Sequence, residues 1–235
     1  MDAPLLNRQD AGQKLAQKLL NEQKYPPNIV LGLPRGGIPV ASEIAQKLQL
    51  PLNLCLAKKL GSPKNPEVAI GAIADNNVII ADKNFLQQRQ ISEQFLSDTI
   101  EAQRKKLIQY ELLSQQAHDL LAQNRFSFND RLKDSTVILV DDGIATGLTL
   151  QAGIATLQHY QVKNIIVAVP VIARDLLPII QSQVTQLVYL IAPKKLNSVS
   201  FWYRDFAQVT NEEVFELLQK TNNDYAANNP LSYQL

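Results

Sequence analysis

Two adjacent acids, Asp141 and Asp142, follow directly after the apolar run of residues 137–140. Four consecutive apolar residues bounded by polar ones are typical of a strand that is buried on both faces, and the acids then stand at its end. A carboxylate accepts hydrogen bonds from neighbouring hydroxyl groups, so an acid pair suits a polyol such as ribose. The chemistry that this pair predicts is the binding of a sugar.

A loop of small residues comes next and leads into a predicted helix at residues 148–157. The loop is Ala145-Thr146-Gly147, and Thr149 adds a second hydroxyl in the first turn of the helix. Unpaired backbone N–H groups and the positive end of the helix dipole bind anions, typically phosphate, at such a position. A buried strand followed by a Thr-capped helix would explain the loop, but it would leave the acids unexplained. Together the two features indicate a site for a sugar phosphate.

The segment 137–149 resembles the signature with which type I phosphoribosyltransferases bind phosphoribosyl diphosphate (PRPP). The resemblance implies that Asp141 and Asp142 hold the ribose hydroxyls and that the following loop holds the 5-phosphate. The loop residues matched in this way are Ala145, Thr146, Gly147, Leu148 and Thr149. Gly143 departs from the signature, which usually has an aliphatic residue there, so we expect a looser turn that shifts Asp142 slightly. Neither GxxxxGK[ST] nor GxGxxG occurs in the chain.

A second strand–loop–helix unit lies earlier in the chain. Residues 28–33 are predicted to form a central strand, and Arg35, Gly36 and Gly37 form the loop after it. Adjacent glycines allow unusual backbone angles and the close approach of a ligand, and an Arg suits phosphate oxygens. A plain tight turn with a solvated Arg is the alternative. The resemblance implies that this loop binds the diphosphate of PRPP.

Lys58 and Lys59 are at the end of a strand predicted over residues 52–60. Paired cations in such a position commonly face solvent, whereas the resemblance implies a basic residue against the diphosphate. Side chains alternate along a strand, so only one of the two points inward, and the sequence leaves open which one. Residues 67–73 and 77–81 then alternate like a hairpin, which by resemblance belongs to a lid over the substrate.

The remaining segments are expected to complete one domain over residues 1–220. Residues 85–125 are rich in helix formers and predict a helical insertion, either one long helix or two shorter ones. The sequence leaves open whether this insertion packs on a second copy of the chain in a homodimer. Trp202 and Tyr203 lie in an aromatic segment that either pins the C-terminal part of the chain to the core or, by resemblance, forms a hood that binds a base. Residues 221–235 are polar and predict a flexible tail.

Composition limits the classes of protein that fit. A length of 235 residues with a hydrophobic fraction of 46% suits a single globular domain, and a net charge of +1 argues against a nucleic-acid partner. The single Cys55 excludes an internal disulfide and fits a reducing compartment. The N-terminus lacks a signal-peptide core, and no apolar run approaches membrane-spanning length. We therefore expect a cytoplasmic protein without a membrane partner.

Strands that alternate with helices predict an α/β fold, a central parallel sheet flanked by helices, with a small hood or lid added by resemblance. The resemblance implies an enzyme of nucleotide metabolism that transfers the 5-phosphoribosyl group of PRPP to a nitrogenous base and releases diphosphate. Asp141, Asp142 and Arg35 would be its catalytic residues, and Mg²⁺ would be carried mainly by PRPP, without direct protein ligands. The alternative is a PRPP-sensing regulatory or binding protein without turnover.

Overall fold

The computed structural model describes residues 4–22, 24–64, 68–75, 78–81, 83–119 and 132–229. The strands, in chain order, are β1 (Ile29–Gly32), β2 (Leu52–Leu54), β3 (Ala57–Gly61), β4 (Ala69–Ala74), β5 (Ile79–Ala81), β6 (Thr136–Val140), β7 (Asn164–Val171) and β8 (Gln186–Ile191). The helices are α1 (Arg8–Glu22), α2 (Gly37–Leu48), α3 (Lys83–Gln88), α4 (Glu93–Asp119), α5 (Leu148–His159), α6 (Leu177–Gln181) and α7 (Asn211–Asn228). None of these helices combines the length and the apolar character needed to span a bilayer within the described residues.

The main sheet has five parallel strands in the order β2-β1-β6-β7-β8. Helices cover both of its faces, as the alternation of β6 illustrates. Ile138 and Val140 belong to the core that contains α1, α2 and α7, whereas Val137 and Leu139 belong to the core that contains α5. A strand buried on both sides needs the continuous apolar run that the sequence has there. The predicted α/β fold with a central parallel sheet is confirmed.

A second, antiparallel sheet has the order β3-β4-β5. The strand predicted over residues 52–60 was wrong, because the chain leaves the main sheet after Leu54 and enters this second sheet at Ala57. The linking residues bond to both sides: Cys55 N–H donates to Gly32 O (2.9 Å), and Leu56 O accepts from Asp75 N–H (2.9 Å). Lys58 and Lys59 consequently lie near the start of β3.

The predicted hairpin is present as β4 and β5, and most of β4 is buried. Tyr160, just after α5, donates its hydroxyl to Asp75 Oδ2 at 2.6 Å, so the hairpin is anchored to the helix layer of the main sheet. Residues 65–67, which belong to the predicted lid, lie outside the described residues. The predicted insertion consists of α3 and the 27-residue α4, and its residues 120–125 also lie outside the described part.

The C-terminal helix corrects the predicted tail, because α7 continues through residue 220 to Asn228. Thr221 and Asn222 are each only 1% exposed. The Thr221 hydroxyl lies 2.8 Å from the hydroxyl of Ser42 on α2. Asn222 accepts from Leu52 N–H (2.9 Å) and donates to Leu52 O (2.8 Å), which satisfies both backbone groups on the outer side of β2. These contacts hold the last turns of α7 against the protein, while residues 230–235 lie outside the described part.

Asn222→Ala is expected to lower the free energy of unfolding by about 2 kcal/mol, since it leaves a buried N–H and a buried C=O without partners. Chemical denaturation followed by circular dichroism measures the loss. Asn223→Ala is the matched control, because the neighbouring Asn223 is exposed and its replacement should leave stability unchanged. Equal stability of the two variants would contradict the prediction.

Candidate functional site

Two loops meet at the carboxyl ends of β1 and β6, because these strands are parallel neighbours. A Cβ atom built on Gly36 would lie 2.0 Å from Oδ2 of Asp142. Gly36 has φ −63° and ψ −29°, an ordinary helical conformation, and the peptide bond between Pro34 and Arg35 is cis. At Gly36 it is therefore the close approach of Asp142, and not an unusual backbone angle, that requires glycine. The two predicted loops form one site.

The start of the loop after β6 is hydrogen-bonded to the end of β7, whereas the N–H groups at the end of the loop have no partner among the described residues. Ile144 N–H donates to Val171 O (2.8 Å), and Ala173 N–H donates to Ile144 O (2.9 Å), which fixes the loop to the end of β7. Gly147, with φ +75°, then precedes α5. The backbone N–H groups of residues 145–149 donate to no other residue in the part of the chain that the structure describes. They lie at the N-terminus of a 12-residue helix, where an anion is favoured.

The residues of this loop differ in exposure. Ala145 and Thr146 are exposed, Leu148 and Thr149 are half-buried, and Gly147 is buried. The Thr146 hydroxyl is therefore accessible from solvent, beside the unpaired N–H groups. Contact of these residues with a 5-phosphate stays a prediction.

Gly143 has a neighbour that the sequence did not reveal. A Cβ atom at this position would lie 2.4 Å from Val199 Cγ1 and 2.9 Å from Val171 Cγ1. Val199 begins a short 3-10 helix in the C-terminal segment and occupies the space of the aliphatic side chain that the signature usually has here. Val199 thus supplies the apolar surface that the sequence left missing at this turn, and the predicted shift of Asp142 stays a prediction.

The environment of the two acids favours the neutral form of each carboxyl group over its charged form. Burial and then the like charge of Asp142 raise the pKa of Asp141 well above its usual range. Burial also raises the pKa of Asp142, and the guanidinium of Arg8 opposes that rise. Arg8 Nε donates to Asp142 Oδ2 at 2.8 Å, with 11% of the Arg8 side chain and 15% of the Asp142 side chain exposed. Asp142 N–H donates to Asp141 Oδ1 at 2.9 Å, which orients the first carboxylate.

The aromatic segment covers this edge of the sheet, but its rings have different roles. Tyr203 is 5% exposed and donates its hydroxyl to Asp142 O at 2.6 Å, so its ring is part of the packing. Trp202 is half-buried, and Phe201 is 75% exposed. Base contact by Trp202 and Tyr203 stays a prediction, and the geometry favours Trp202 over Tyr203. Phe201, which the sequence reasoning did not single out, is the most accessible ring of the segment.

Arg35 and Lys58 are the cations predicted to bind the diphosphate, and the charge of Arg35 acts on Lys58. Lys58 Nζ lies 3.3 Å from the hydroxyl of Tyr110 on α4 and 4.5 Å from the centre of its ring. Burial lowers the pKa of Lys58 to about 8, and the positive charges of Arg35 and Lys106 act in the same direction. Within the described residues, no carboxylate is at ion-pair distance from Arg35 or Lys58. This grouping of like charges is suited to an anion of high charge.

We expect the affinity for Mg²⁺-diphosphate to fall as pH rises through about 8, because the ammonium form of Lys58 is predicted to bind the anion and the pKa of Lys58 is about 8. Titration calorimetry from pH 7 to pH 9.5 measures the change. In Lys58→Met the decline beyond that of the ligand itself should disappear. Lys47→Met, which removes an exposed cation of α2, should keep the profile of the wild-type protein. Identical profiles for Lys58→Met and the wild-type protein would refute the role of Lys58.

Comparison with known proteins decides the family. The profile of the phosphoribosyl transferase domain matches residues 5–186, which include both loops and four strands of the main sheet and end at the first residue of β8. The chain belongs to the phosphoribosyltransferase domain family.

Relatives of this family member are found among both sequences and structures. Two curated proteins from Mycobacterium tuberculosis, of strains CDC 1551 and H37Rv, carry names that assign them provisionally as phosphoribosyl transferases. Each is 32% identical over 220 residues, which cover 94% of this chain and 47% of the relative. The chain thus spans about half the length of these relatives. The crystal structure of TT1426 from Thermus thermophilus is 29% identical, covers 92% of this chain and 98% of its own, and superposes with a TM-score of 0.68.

The family uses Mg²⁺ together with PRPP, so the side chains of this site can be compared with the ligands that Mg²⁺ requires. No group of three or more His, Cys, Asp or Glu side chains that could hold a metal ion occurs among the described residues. Mg²⁺ keeps several waters and is commonly bound through substrate phosphates with few protein ligands. Arg35 and Lys58, which have no carboxylate at ion-pair distance among the described residues, suit an anion such as a diphosphate, and the carriage of Mg²⁺ by that diphosphate stays a prediction.

Sequence reasoning missed one residue of the site. Arg8 is 134 positions from its partner Asp142 and belongs to no motif of recognisable spacing. Only the folded N-terminal helix brings it to the edge where β1 and β6 end.

Proposed function

We propose that this protein transfers the 5-phosphoribosyl group of PRPP to a nitrogenous base and releases diphosphate. The observation that carries the proposal is the set of groups that the two neighbouring loops bring together. The acids Asp141 and Asp142 precede N–H groups without partners among the described residues, and Arg35 and Lys58 have no carboxylate at ion-pair distance in the same part of the chain. PRPP has groups that suit these residues, namely a 5-phosphate, a ribose and a diphosphate.

The residues have distinct tasks in this reaction. The bond from C1 to the diphosphate oxygen breaks, the electron pair leaves with the diphosphate, and a nitrogen of the base forms the new bond to C1 and loses its proton to water. Asp141 and Asp142 orient the ribose hydroxyls and favour the positive charge that develops on the ring. Arg35 and Lys58 stabilise the leaving diphosphate. When bound, Mg²⁺ neutralises part of the diphosphate charge.

The base would reach C1 from the side of the C-terminal segment. Trp202 is half-buried and Phe201 is largely exposed, and an aromatic face stacks on planar rings. Lys58 and Lys59 were both candidates for the diphosphate contact, and the proposal takes Lys58, on which the charge of Arg35 acts, because alternation along β3 turns Lys59 to the other face. Gly36 and Gly37 belong to the loop that is proposed to bind the diphosphate.

Two measurements test the proposal. PRPP with Mg²⁺ at millimolar concentration is expected to raise the melting temperature, since a ligand that binds only the folded state stabilises it. Incubation with PRPP and each of adenine, guanine, hypoxanthine, xanthine, uracil and orotate is expected to release diphosphate for at least one base. The absence of any thermal shift would refute PRPP binding. A shift without diphosphate release for any base would favour a PRPP-sensing binding protein.

A further inference from the structure

Arg8 has three anchors, all of them at the acid side of the site. Its Nε donates to Asp142 Oδ2 (2.8 Å), its Nη1 donates to Ala207 O (2.7 Å), and its guanidinium carbon lies 3.7 Å from the centre of the Phe206 ring. Only 11% of the side chain is exposed. A guanidinium held by two hydrogen bonds and a stacked ring has one orientation. The Asp142 carboxylate that it bonds is therefore fixed as well.

Two segments that are far apart in sequence fix the position of Asp142. Residues 5–6 pair with the C-terminal segment: Arg204 N–H donates to Leu5 O (2.9 Å), and Asp205 N–H donates to Leu6 O (2.9 Å). The same C-terminal segment contributes the hydroxyl of Tyr203, which donates to Asp142 O. The first segment thus fixes the side chain of Asp142 through Arg8, and the second fixes its backbone.

This arrangement has a consequence for ligand binding, and it rests on the proposed function. We propose that Arg8 is a positioning residue, which offsets the charge of the adjacent carboxylates and orients Asp142 for the ribose hydroxyls of PRPP. Two adjacent carboxylates with little solvent repel each other and need a cation nearby. Arg35 and Lys58 are engaged by the diphosphate in the proposed complex. Arg8 is the cation that bonds directly to the acid pair among the described residues.

The charges of the groups that face Asp142 determine the expected effect of removing Arg8. They are Arg8 from α1, Asp141 from its own loop and Tyr203 from the C-terminal segment. Of the three, Arg8 carries the positive charge. Loss of Arg8 should therefore weaken the binding of a ligand that has a ribose, and it should spare a ligand that has only the diphosphate. A general structural role would weaken both to the same extent.

The test compares PRPP and diphosphate, each with Mg²⁺, by titration calorimetry on the full chain. Arg8→Gln is expected to lose about tenfold in PRPP affinity, the size of one hydrogen bond to a charged group, with diphosphate affinity within about twofold of the wild-type value. Arg8→Lys keeps the charge and should recover part of the loss. Lys14→Gln is the matched control, since Lys14 on the same helix pairs with Asp10 away from the acids, and it should bind both ligands as the wild-type protein does.

Each of the remaining outcomes would contradict either the role of Arg8 or the proposed function. Equal loss of PRPP and diphosphate in Arg8→Gln would make Arg8 merely structural. Unchanged or tighter PRPP binding would mean that Arg8 is neutral or blocks Asp142. If Arg8→Gln does not fold, Arg8→Lys decides, because the proposal requires an intermediate loss for PRPP alone. A wild-type protein that binds diphosphate but not PRPP would refute the proposed function, and this inference with it.

Discussion

The double variant Asp141→Asn/Asp142→Asn is expected to bind PRPP at least roughly a hundredfold more weakly than the wild-type protein. Each acid is proposed to accept hydrogen bonds from ribose hydroxyls, and a hydrogen bond to a charged group contributes about 1.5–3 kcal/mol. Loss of both charges therefore removes about 3 kcal/mol or more, which corresponds to the stated change in affinity. Titration calorimetry with PRPP and Mg²⁺ measures it, and turnover should fall by a larger factor, because the acids also favour the developing charge.

Two controls isolate the role of the acids. Asn has the shape of Asp and still offers an oxygen to Arg8 Nε, so circular dichroism should show a folded variant. Asp224→Asn removes a carboxylate from an exposed position of α7 and should leave PRPP affinity unchanged. Diphosphate binding should be preserved in the double variant, since Arg35 and Lys58 remain. PRPP affinity within about threefold of the wild-type value would show that the acids do not bind the ribose.

Gly143→Val is expected to destabilise the protein by about 3 kcal/mol, the upper part of the usual range for overpacking. A Cβ atom at residue 143 would lie 2.4 Å from Val199 Cγ1, and Val171 closes the other side. For a chain of this length such a loss lowers the melting temperature by about 6–12 °C. Differential scanning calorimetry measures the shift.

A second substitution tests whether Val199 itself occupies the space next to residue 143. Val199→Ala removes the atoms nearest to residue 143, so Gly143→Val/Val199→Ala should recover at least half of the lost stability. The coupling between the two positions follows from the cycle of single and double variants. Additive losses would mean that Val199 does not occupy the space of the aliphatic side chain.

Local pattern explains which parts of the fold could be predicted. The run of residues 137–140, the acids and the small-residue loop are contiguous, so strand, loop and helix were all evident from the sequence, and the parallel sheet followed from their alternation with helices. The break between β2 and β3 was not evident, because residues 52–57 are apolar almost throughout. The two sheets are separated only by the bonds of Cys55 to Gly32 at the end of β1 and of Leu56 to Asp75 just after β4.

Contacts over long separations explain what the sequence could not reveal. Arg8 and Asp142 are 134 positions apart, and Asn222 and Leu52 are 170 apart. Val199 packs on Gly143 from the far end of the chain. The extent of α7 was missed for this reason, since a polar, Asn-rich sequence is also what a tail has, and only the buried partners of Thr221 and Asn222 make it a helix.

The contact of Asn222 with Leu52 also bears on self-association. β2 is the edge strand of the main sheet, and an open edge is a template for a strand of another molecule. Here Asn222 takes up both outward-facing backbone groups of Leu52, and Leu54 N–H donates to the side chain of Asn53 at 2.7 Å. These bonds take up groups that a strand of another molecule would need, so they oppose extension of the sheet at β2. Asn222→Ala would free both groups of Leu52, and we expect this variant to aggregate more on heating than the wild-type protein.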